Sequence, residues 1–279
     1  MTDSPDQTKA DRRNADPFRN AVLECAGVSV ERGGRRILHD INLRLAPHEC
    51  VSLVGPNGSG KTTLVRTLLG LGRPTVGHVR LDGEDTYRIA ARRRARWAAY
   101  VPQRLDANPM LTVAEVVATG RFPHGHSLRP LLTTDRSVVT RVMEVCGVTA
   151  LADRVFSTLS GGERQKVLIA AAMAQAARVL FLDEPNTALD PAYQIELVRI
   201  LRDWHRAGGG LLVISHDLHL PVALGGRVLA LRAGRVAADG PAAEVLTPAT
   251  LGRIYAAPFA VAATPAGPSL LLPAWWLGG

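Results

Sequence analysis

Residues 55–62 read Gly55-Pro56-Asn57-Gly58-Ser59-Gly60-Lys61-Thr62 and fit the pattern G-x-x-x-x-G-K-[ST]. The apolar run 50–54 precedes them, and a helical pattern begins near Lys61, which gives the strand–loop–helix setting that the motif requires. Glycines let the backbone turn its N–H groups inward around phosphate oxygens, and the helix N-terminus adds a favourable partial charge. The stretch therefore predicts a phosphate-binding loop (P-loop) and the α/β fold that carries it.

Three side chains at the end of this loop have predicted roles of their own. Lys61 is expected to reach the β- and γ-phosphates of a nucleotide, and the hydroxyl of Thr62 is expected to bind Mg²⁺. Thr63 is added to the nucleotide-binding candidates because it follows directly in the helix.

A second apolar run, 179–182, ends in Asp183 and Glu184. A carboxylate at the end of a buried strand is costly unless it is paired, so Asp183 is predicted to lie at Mg²⁺, as a ligand or through a group bound to it. Glu184 can then orient and deprotonate the attacking water, which phosphoryl transfer still requires. Alone, Asp-Glu at a strand end is as often a helix cap; the P-loop upstream favours the catalytic interpretation.

The same arrangement recurs at 211–214, a third short apolar run, which is followed by Ser215-His216-Asp217. Runs this short, alternating with helical stretches such as 191–207, predict buried parallel strands of an α/β sheet. Ligands in such folds bind at the carboxyl ends of the strands, where these polar residues fall.

The domain organisation follows from these patterns. The fold is predicted to be a P-loop NTPase core with an antiparallel β subdomain and an inserted helical subdomain. The segments are a disordered tail at 1–20, an α/β ATP-binding core at 21–103 and 178–279 with a C-terminal extension, and a helical subdomain at 104–177.

The composition limits the alternatives. No window approaches the roughly 18 apolar residues that a membrane helix needs, and the polar start lacks a signal sequence, so we expect a cytoplasmic chain. Three cysteines without a CxxC spacing predict neither disulfides nor zinc. The net charge of +8 is mostly arginine, densest at 91–97, where we favour a solvated helix face over a partner or lipid surface, and place nucleic acid last.

A further motif is Leu159-Ser160-Gly161-Gly162-Glu163-Arg164-Gln165. A serine and two glycines that open a helix make a second anion-binding helix start. At this point the sequence resembles the ABC ATPases, over roughly residues 21–256. The resemblance implies that this signature motif caps the γ-phosphate of the ATP held by another subunit, so that two copies form a head-to-tail dimer.

Other motifs fall in the order of the same family. They are Gln103 in Tyr-Val-Pro-Gln, Asp190 in Ala-Leu-Asp, and His216. The resemblance implies that Gln103 senses Mg²⁺ and water and links to the helical subdomain, that Asp190 contacts the partner copy, and that His216 steadies the γ-phosphate and the catalytic glutamate.

The sequence departs from the family pattern at three positions. Arg32 stands where the family places an aromatic residue under the adenine; a guanidinium can also stack on a base, and Val30 is an alternative contact. Asn186 replaces a common threonine, and Ala171 replaces a common arginine. We expect tuning of the activity from these two changes rather than its loss.

Finer resemblance, in 112–124, 151–154, 240–241 and 244–248, points to importers of iron-siderophores, haem and cobalamin. It implies transmembrane permease subunits as partners, an external solute-binding protein acting indirectly, and a peripheral position on the cytoplasmic face of the membrane. An ABC exporter ATPase is the alternative. A non-transport ABC ATPase acting on nucleic acid is disfavoured, because the spacing of the motifs leaves no room for an added arm. At the C-terminus, Trp275 and Trp276 are interpreted as a packed strand end rather than a membrane contact.

Overall fold

The computed structural model describes residues 22–103, 110–125, 132–187, 189–264 and 267–273. The strands are β1 Leu23–Arg32, β2 Arg35–Leu45, β3 Cys50–Val54, β4 Val76–Leu81, β5 Glu84–Asp85, β6 Ala98–Val101, β7 Val179–Asp183, β8 Gly210–Ile214, β9 Arg227–Arg232, β10 Arg235–Pro241, β11 Phe259–Thr264 and β12 Gly267–Pro273. The helices are α1 Lys61–Leu68, α2 Ala91–Trp97, α3 Val113–Thr119, α4 Thr133–Val145, α5 Gly161–Ala174, α6 Pro191–Arg206, α7 His219–Leu224, α8 Ala242–Val245 and α9 Pro248–Tyr255.

The central sheet has six strands in the order β10-β9-β3-β8-β7-β6. The pairs from β9 through β6 are parallel, and β10 is antiparallel at one edge. Every residue of β3, β7 and β8 is buried, which explains why each reads as a short, unbroken apolar run. The α/β class predicted from those runs is confirmed.

A second, antiparallel sheet has the order β2-β1-β4-β5. Its inner side chains share a core with α1 and with one face of the central sheet, including Leu38, Leu64 and Phe181. This sheet corresponds to the predicted antiparallel β subdomain.

Helices α3, α4 and α5 lie between β6 and β7 in sequence and pack on one another around Val117, Val142 and Val167. Helix α5 also contacts β6, so the helical layer rests directly on the sheet. The boundaries predicted at residues 103 and 178 stay a prediction.

The arginines of α2 lie at this junction. The helix is largely exposed, yet Arg92 Nε and Arg96 Nε both donate to the carbonyl of Pro123, at 2.9 and 3.1 Å. From the helical layer, Gln175 Nε2 donates to the carbonyl of Ala98 at 2.9 Å. Arginines interpreted as a solvated face thus hold the helical layer against the α/β core.

The C-terminal part adds a third, smaller core. Helices α8 and α9 pack on β3 and β9, with Leu251 and Ile254 against Val54 and Ala230. Strands β11 and β12 then form an antiparallel hairpin. None of the helices within the described ranges is both long and apolar enough to cross a bilayer. The predicted tail at 1–20 and the tryptophan pair at 275–276 lie outside the described residues.

Candidate active site

The sheet order brings the predicted site residues to one edge. Strand β8 lies between β3 and β7, and Ile214 is in register with both Leu53 and Asp183. The loops that follow these three strands therefore leave the sheet at the same level. They carry the P-loop, Asp183 with Glu184, and His216.

The P-loop takes a backbone path that only glycine allows at two points. Gly55 has φ +140°, and a Cβ there would lie 2.0 Å from the carbonyl oxygen of Leu231. Gly60 has φ +101°, and a Cβ there would lie 2.6 Å from Leu38 Cδ2. The loop is wedged against β2 and β9, so its shape is set before any ligand binds.

The helix that follows opens without a side-chain cap. Gly60 occupies the N-cap position of α1, makes no side-chain hydrogen bond, and is followed by no acidic residue in the first turn. The first N–H groups of a helix need partners from outside the helix. At α1 these donors are available to an anion.

Lys61 is folded back over the loop. Only 6% of the residue is exposed, and Nζ donates to the carbonyl oxygens of Gly55 and Pro56, at 2.8 and 3.0 Å. Burial lowers the pKa of the Lys61 ammonium, while the carboxylates of Glu184 and Asp183 act in the opposite direction. The lysine is thus positioned beside the uncapped helix start and close to the carboxylates.

Asp183 is 3% exposed and accepts a hydrogen bond from the hydroxyl of Tyr100 at 3.2 Å. Burial raises the pKa of its carboxyl group, and hydrogen bonds from the side chains of Thr62 and Tyr100 oppose that shift. The P-loop threonine and the strand-end aspartate are therefore neighbours, and their roles at Mg²⁺ stay a prediction. Tyr100 was not among the predicted site residues.

These oxygens suit Mg²⁺, which usually takes one or two protein ligands and completes its shell with phosphate and water. The Thr62 hydroxyl and the Asp183 carboxylate are such a pair. Across the described ranges, no group of three or more His, Cys, Asp or Glu residues could hold a metal alone. The residues fit an ion that a bound nucleotide helps to hold.

Glu184 lies at the centre of the predicted catalytic residues. Its Oε2 accepts hydrogen bonds from Gln103 Nε2 at 2.6 Å and Thr187 Oγ1 at 3.2 Å, and lies 3.3 Å from His216 Nδ1. Its backbone is left-handed, with φ +50°, and its N–H donates to Ile214 at 3.0 Å. A left-handed conformation is uncommon for a residue with a Cβ, so the surrounding contacts hold Glu184 in place.

The loop that carries His216 is fixed by its neighbours. Asp217 accepts from the backbone of His219 at 2.8 Å and from Asn186 Nδ2 at 3.1 Å. Asn186 is 6% exposed. The unusual asparagine therefore joins the segment after Glu184 to the histidine loop, a role that its sequence context did not reveal.

A cleft of about 700 Å³ opens over the P-loop, Gln103 and Glu184. Its lining comprises Arg35, Arg36, Ile37, His39, Asn57, Gly58, Gly60, Lys61, Thr62, Thr63, Gln103, Glu184, Ala233 and Gly234. Arg32 is not among them; it lies at the β1–β2 turn, where its Nη2 would meet a Cβ on Gly72 at 3.2 Å. The predicted adenine contact of Arg32 stays a prediction.

The signature motif lies apart from this cleft. Ser160 Oγ accepts from the Glu163 N–H at 3.3 Å, and Glu163 Oε2 accepts from the Ser160 N–H at 2.8 Å, which closes a capping box. A Cβ on Gly162 would lie 3.0 Å from the Tyr193 ring, whereas one on Gly161 would meet open space. No residue of Ser160-Gly161-Gly162-Glu163 lines the cleft among the described positions.

Asp190 lies near the signature motif rather than near the P-loop. Its Oδ1 accepts from the backbone N–H of Tyr193 at 3.0 Å and caps α6. Because the Tyr193 ring packs on Gly162, the predicted partner-facing residues form one group and the predicted catalytic residues another.

The family model described as "ABC transporter" matches residues 38–187. The chain belongs to the ABC transporter family. It is 38% identical to the hemin import ATP-binding protein of Rhodococcus jostii over 92% of this chain and 88% of that protein. It is 36% identical to the ferric enterobactin transport ATP-binding protein of Escherichia coli over 84% of this chain and 87% of that protein.

Two solved structures have a fold similar to that of this ABC protein. An inward-facing metal-chelate type ABC transporter has a TM-score of 0.79 at 25% identity and covers 91% of this chain and 98% of its own. A dimeric ATP-binding cassette with bound ADP and Pi, in a post-hydrolysis state, has a TM-score of 0.70 at 25% identity, covering 79% and 98%. The predicted ABC ATPase membership, ATP binding and hydrolase class are confirmed.

Proposed function

We propose that this ABC ATPase powers the import of a metal chelate, an iron-siderophore, haem or cobalamin, through a separate membrane permease. The proposal rests on the names of the proteins to which the chain is similar. Proteins named for hemin import, cobalamin import and ferric enterobactin transport align over 84–92% of the chain. A chain in this role lies peripherally on the cytoplasmic face, with an external solute-binding protein delivering the chelate to the permease.

In the proposed hydrolysis, the P-loop holds ATP. The backbone N–H groups of Asn57, Gly58 and Gly60 and the ammonium of Lys61 bind the phosphates, and Thr63 continues this contact in α1. Thr62 and Asp183 would hold Mg²⁺, with Gln103 as a further candidate ligand. When bound, the ion neutralises charge on the phosphate oxygens.

Glu184 accepts a proton from the attacking water. Its Oε2 is engaged by Gln103, Thr187 and His216, whereas no hydrogen bond to Oε1 is found in the part of the chain that the structure describes. Because a lone pair must be available for the proton, Oε1 is the basic atom. His216 and Gln103 hold the carboxylate in the orientation that presents it.

A second copy of the chain completes each site in the proposal. Ser160, Gly161, Gly162 and Glu163 of one copy cover the nucleotide on the P-loop of the other, and Asp190 contacts the same partner. The separation of this group from the chain's own cleft supports the arrangement. Arg32 remains the proposed adenine contact.

The test is an uptake screen of iron-siderophores, haem and cobalamin in cells whose only copy of the protein carries Glu184→Gln. Uptake of one chelate should collapse while the purified variant still binds ATP. Unchanged uptake of all three would remove the import proposal and favour an exporter. Isolation without a polytopic membrane protein, together with DNA- or RNA-stimulated hydrolysis, would favour the nucleic-acid alternative.

A further inference from the structure

The first N–H of the P-loop has a partner far away in sequence. The last register pair between β3 and β9 is Val54 with Ala230. Gly55, the next residue, is buried, and its N–H donates to the phenol oxygen of Tyr255 at 3.1 Å. A buried backbone donor needs a partner. Tyr255, the last residue of α9, therefore supplies an acceptor for the N–H that follows the last paired residue of β3 and β9.

Tyr255 is held where it can do this. Its ring lies 5.7 Å from that of Phe259, and the neighbouring Leu251 and Ile254 pack in the core against Val54. Burial raises the pKa of the Tyr255 phenol, although the hydrogen bond from Gly55 acts against that shift. The group is thus a neutral acceptor at physiological pH, and its position is set by the packing of α9.

The contact is close to the phosphate-binding lysine. Gly55 donates through its N–H to Tyr255 and accepts through its carbonyl oxygen from Lys61 Nζ at 2.8 Å. The wall formed by Leu231 leaves no room for a side chain on Gly55. One glycine therefore links the C-terminal helix, the edge of the sheet and the lysine.

We propose that Tyr255 is a positioning residue of the nucleotide site: it anchors the start of the P-loop and thereby sets the affinity for ATP. The family match ends at residue 187, so this role lies in a part of the chain outside it. The inference rests on the proposed assignment of ATP to the P-loop cleft.

The test compares two tyrosine-to-phenylalanine variants. Tyr255→Phe removes the acceptor and keeps the ring on Phe259. Tyr87→Phe is the matched control, because the Tyr87 hydroxyl also bonds the backbone, here as a donor to the carbonyl of Thr67 at 3.1 Å, and Tyr87 does not line the cleft. Both variants should lower the melting temperature without nucleotide, since both lose a partly buried hydrogen bond.

Only Tyr255→Phe should weaken ATP binding, by about three- to tenfold, the range expected for one lost hydrogen bond at a preorganised loop. In steady-state hydrolysis its KM for ATP should rise by a similar factor, with a smaller change in kcat. Equal ATP affinity of Tyr255→Phe and the unmutated chain would overturn the proposal, as would equal weakening in both variants. An unmutated chain that does not bind ATP would instead remove the proposed site itself.

Discussion

Two helices of this ATPase begin at motifs that contain glycine, and their first turns are built in opposite ways. Helix α1 follows Gly60, which is left-handed and uncapped, with no acid in the first turn. Helix α5 follows Ser160, which caps it together with Glu163 in a closed box. The first helix leaves its N–H donors for an anion, whereas the second satisfies two of them within the chain.

The residues around the starts of α1 and α5 also differ. The start of α1 faces a cleft that also holds Glu184 and Gln103, so one chain provides phosphate donors and a base together. The start of α5 has Tyr193 beside it and no catalytic group of its own chain among the described contacts. The difference agrees with the proposed dimer, in which each copy carries one hydrolytic half-site and one capping surface for the other.

The largest expected effect comes from removing the base on the α1 side. Glu184→Gln should lower kcat for ATP hydrolysis by about 10²–10⁴-fold, the contribution typical of general base catalysis, and leave ATP binding intact. Phosphate release and equilibrium binding measure the two properties. Glu163→Gln, on the α5 side, is the control and should lower the rate far less. A Glu184→Gln rate within tenfold of the unmutated chain would contradict the assignment.

The second-largest effect is expected from a substitution at the uncapped start of α1. Gly60→Ala places a Cβ 2.6 Å from Leu38 in a backbone with φ +101°, so ATP binding should fall more than tenfold and the free energy of unfolding by about 1–3 kcal/mol. Gly58→Ala also has a positive φ, +75°, but meets open space, and it should lose less on both measures. Denaturant titration measures the stability of the two variants, and equilibrium binding measures their affinity for ATP. Equal losses in Gly60→Ala and Gly58→Ala would show that the contact of the loop with β2 is unimportant.

The capped start can be tested against a second capping box in the same layer, where Thr112 caps α3 with Glu115. Ser160→Ala and Thr112→Ala should each lower the free energy of unfolding by about 1 kcal/mol. Only Ser160→Ala should also lower ATP hydrolysis, measured at protein concentrations that support the dimer. Equal hydrolysis by the two variants would mean that the signature serine acts only as a cap.

The smallest effect is expected at Asn186. Asn186→Ala removes the hydrogen bond to Asp217 and loosens the loop carrying His216, so kcat should fall by about two- to tenfold, the scale of one lost hydrogen bond. The KM for ATP should change little, because Asn186 does not line the cleft. An unchanged kcat would show that His216 is held without this contact.

Much of the site could be predicted because its signals are local. The P-loop, Asp183 with Glu184, and His216 each follow a short apolar run, and parallel strands bring such ends together. The meeting of Gln103 and His216 at one oxygen of Glu184 agrees with the family order of motifs.

The remainder depends on contacts between distant residues. Tyr255 lies 200 positions from Gly55, and no periodicity links a helix end to a loop at that separation. In the sequence, Arg92 and Arg96 belong to a run that is typical of a solvated face. Only the fold shows that both donate to the carbonyl of Pro123. Asn186 could be noticed as a departure, but its partner Asp217 depends on the neighbouring positions of β7 and β8.

Because of the left-handed backbone of Glu184, catalytic activity and thermal stability make opposite demands on this position. Glycine at this position would adopt φ +50° without the penalty of a Cβ, which for other residues is of order 1 kcal/mol or more. An inactive Glu184→Gly chain is therefore relieved of this backbone strain, which the active chain keeps. A selection for heat resistance alone would drift towards loss of the base, so any engineering of this protein has to select for turnover at the same time.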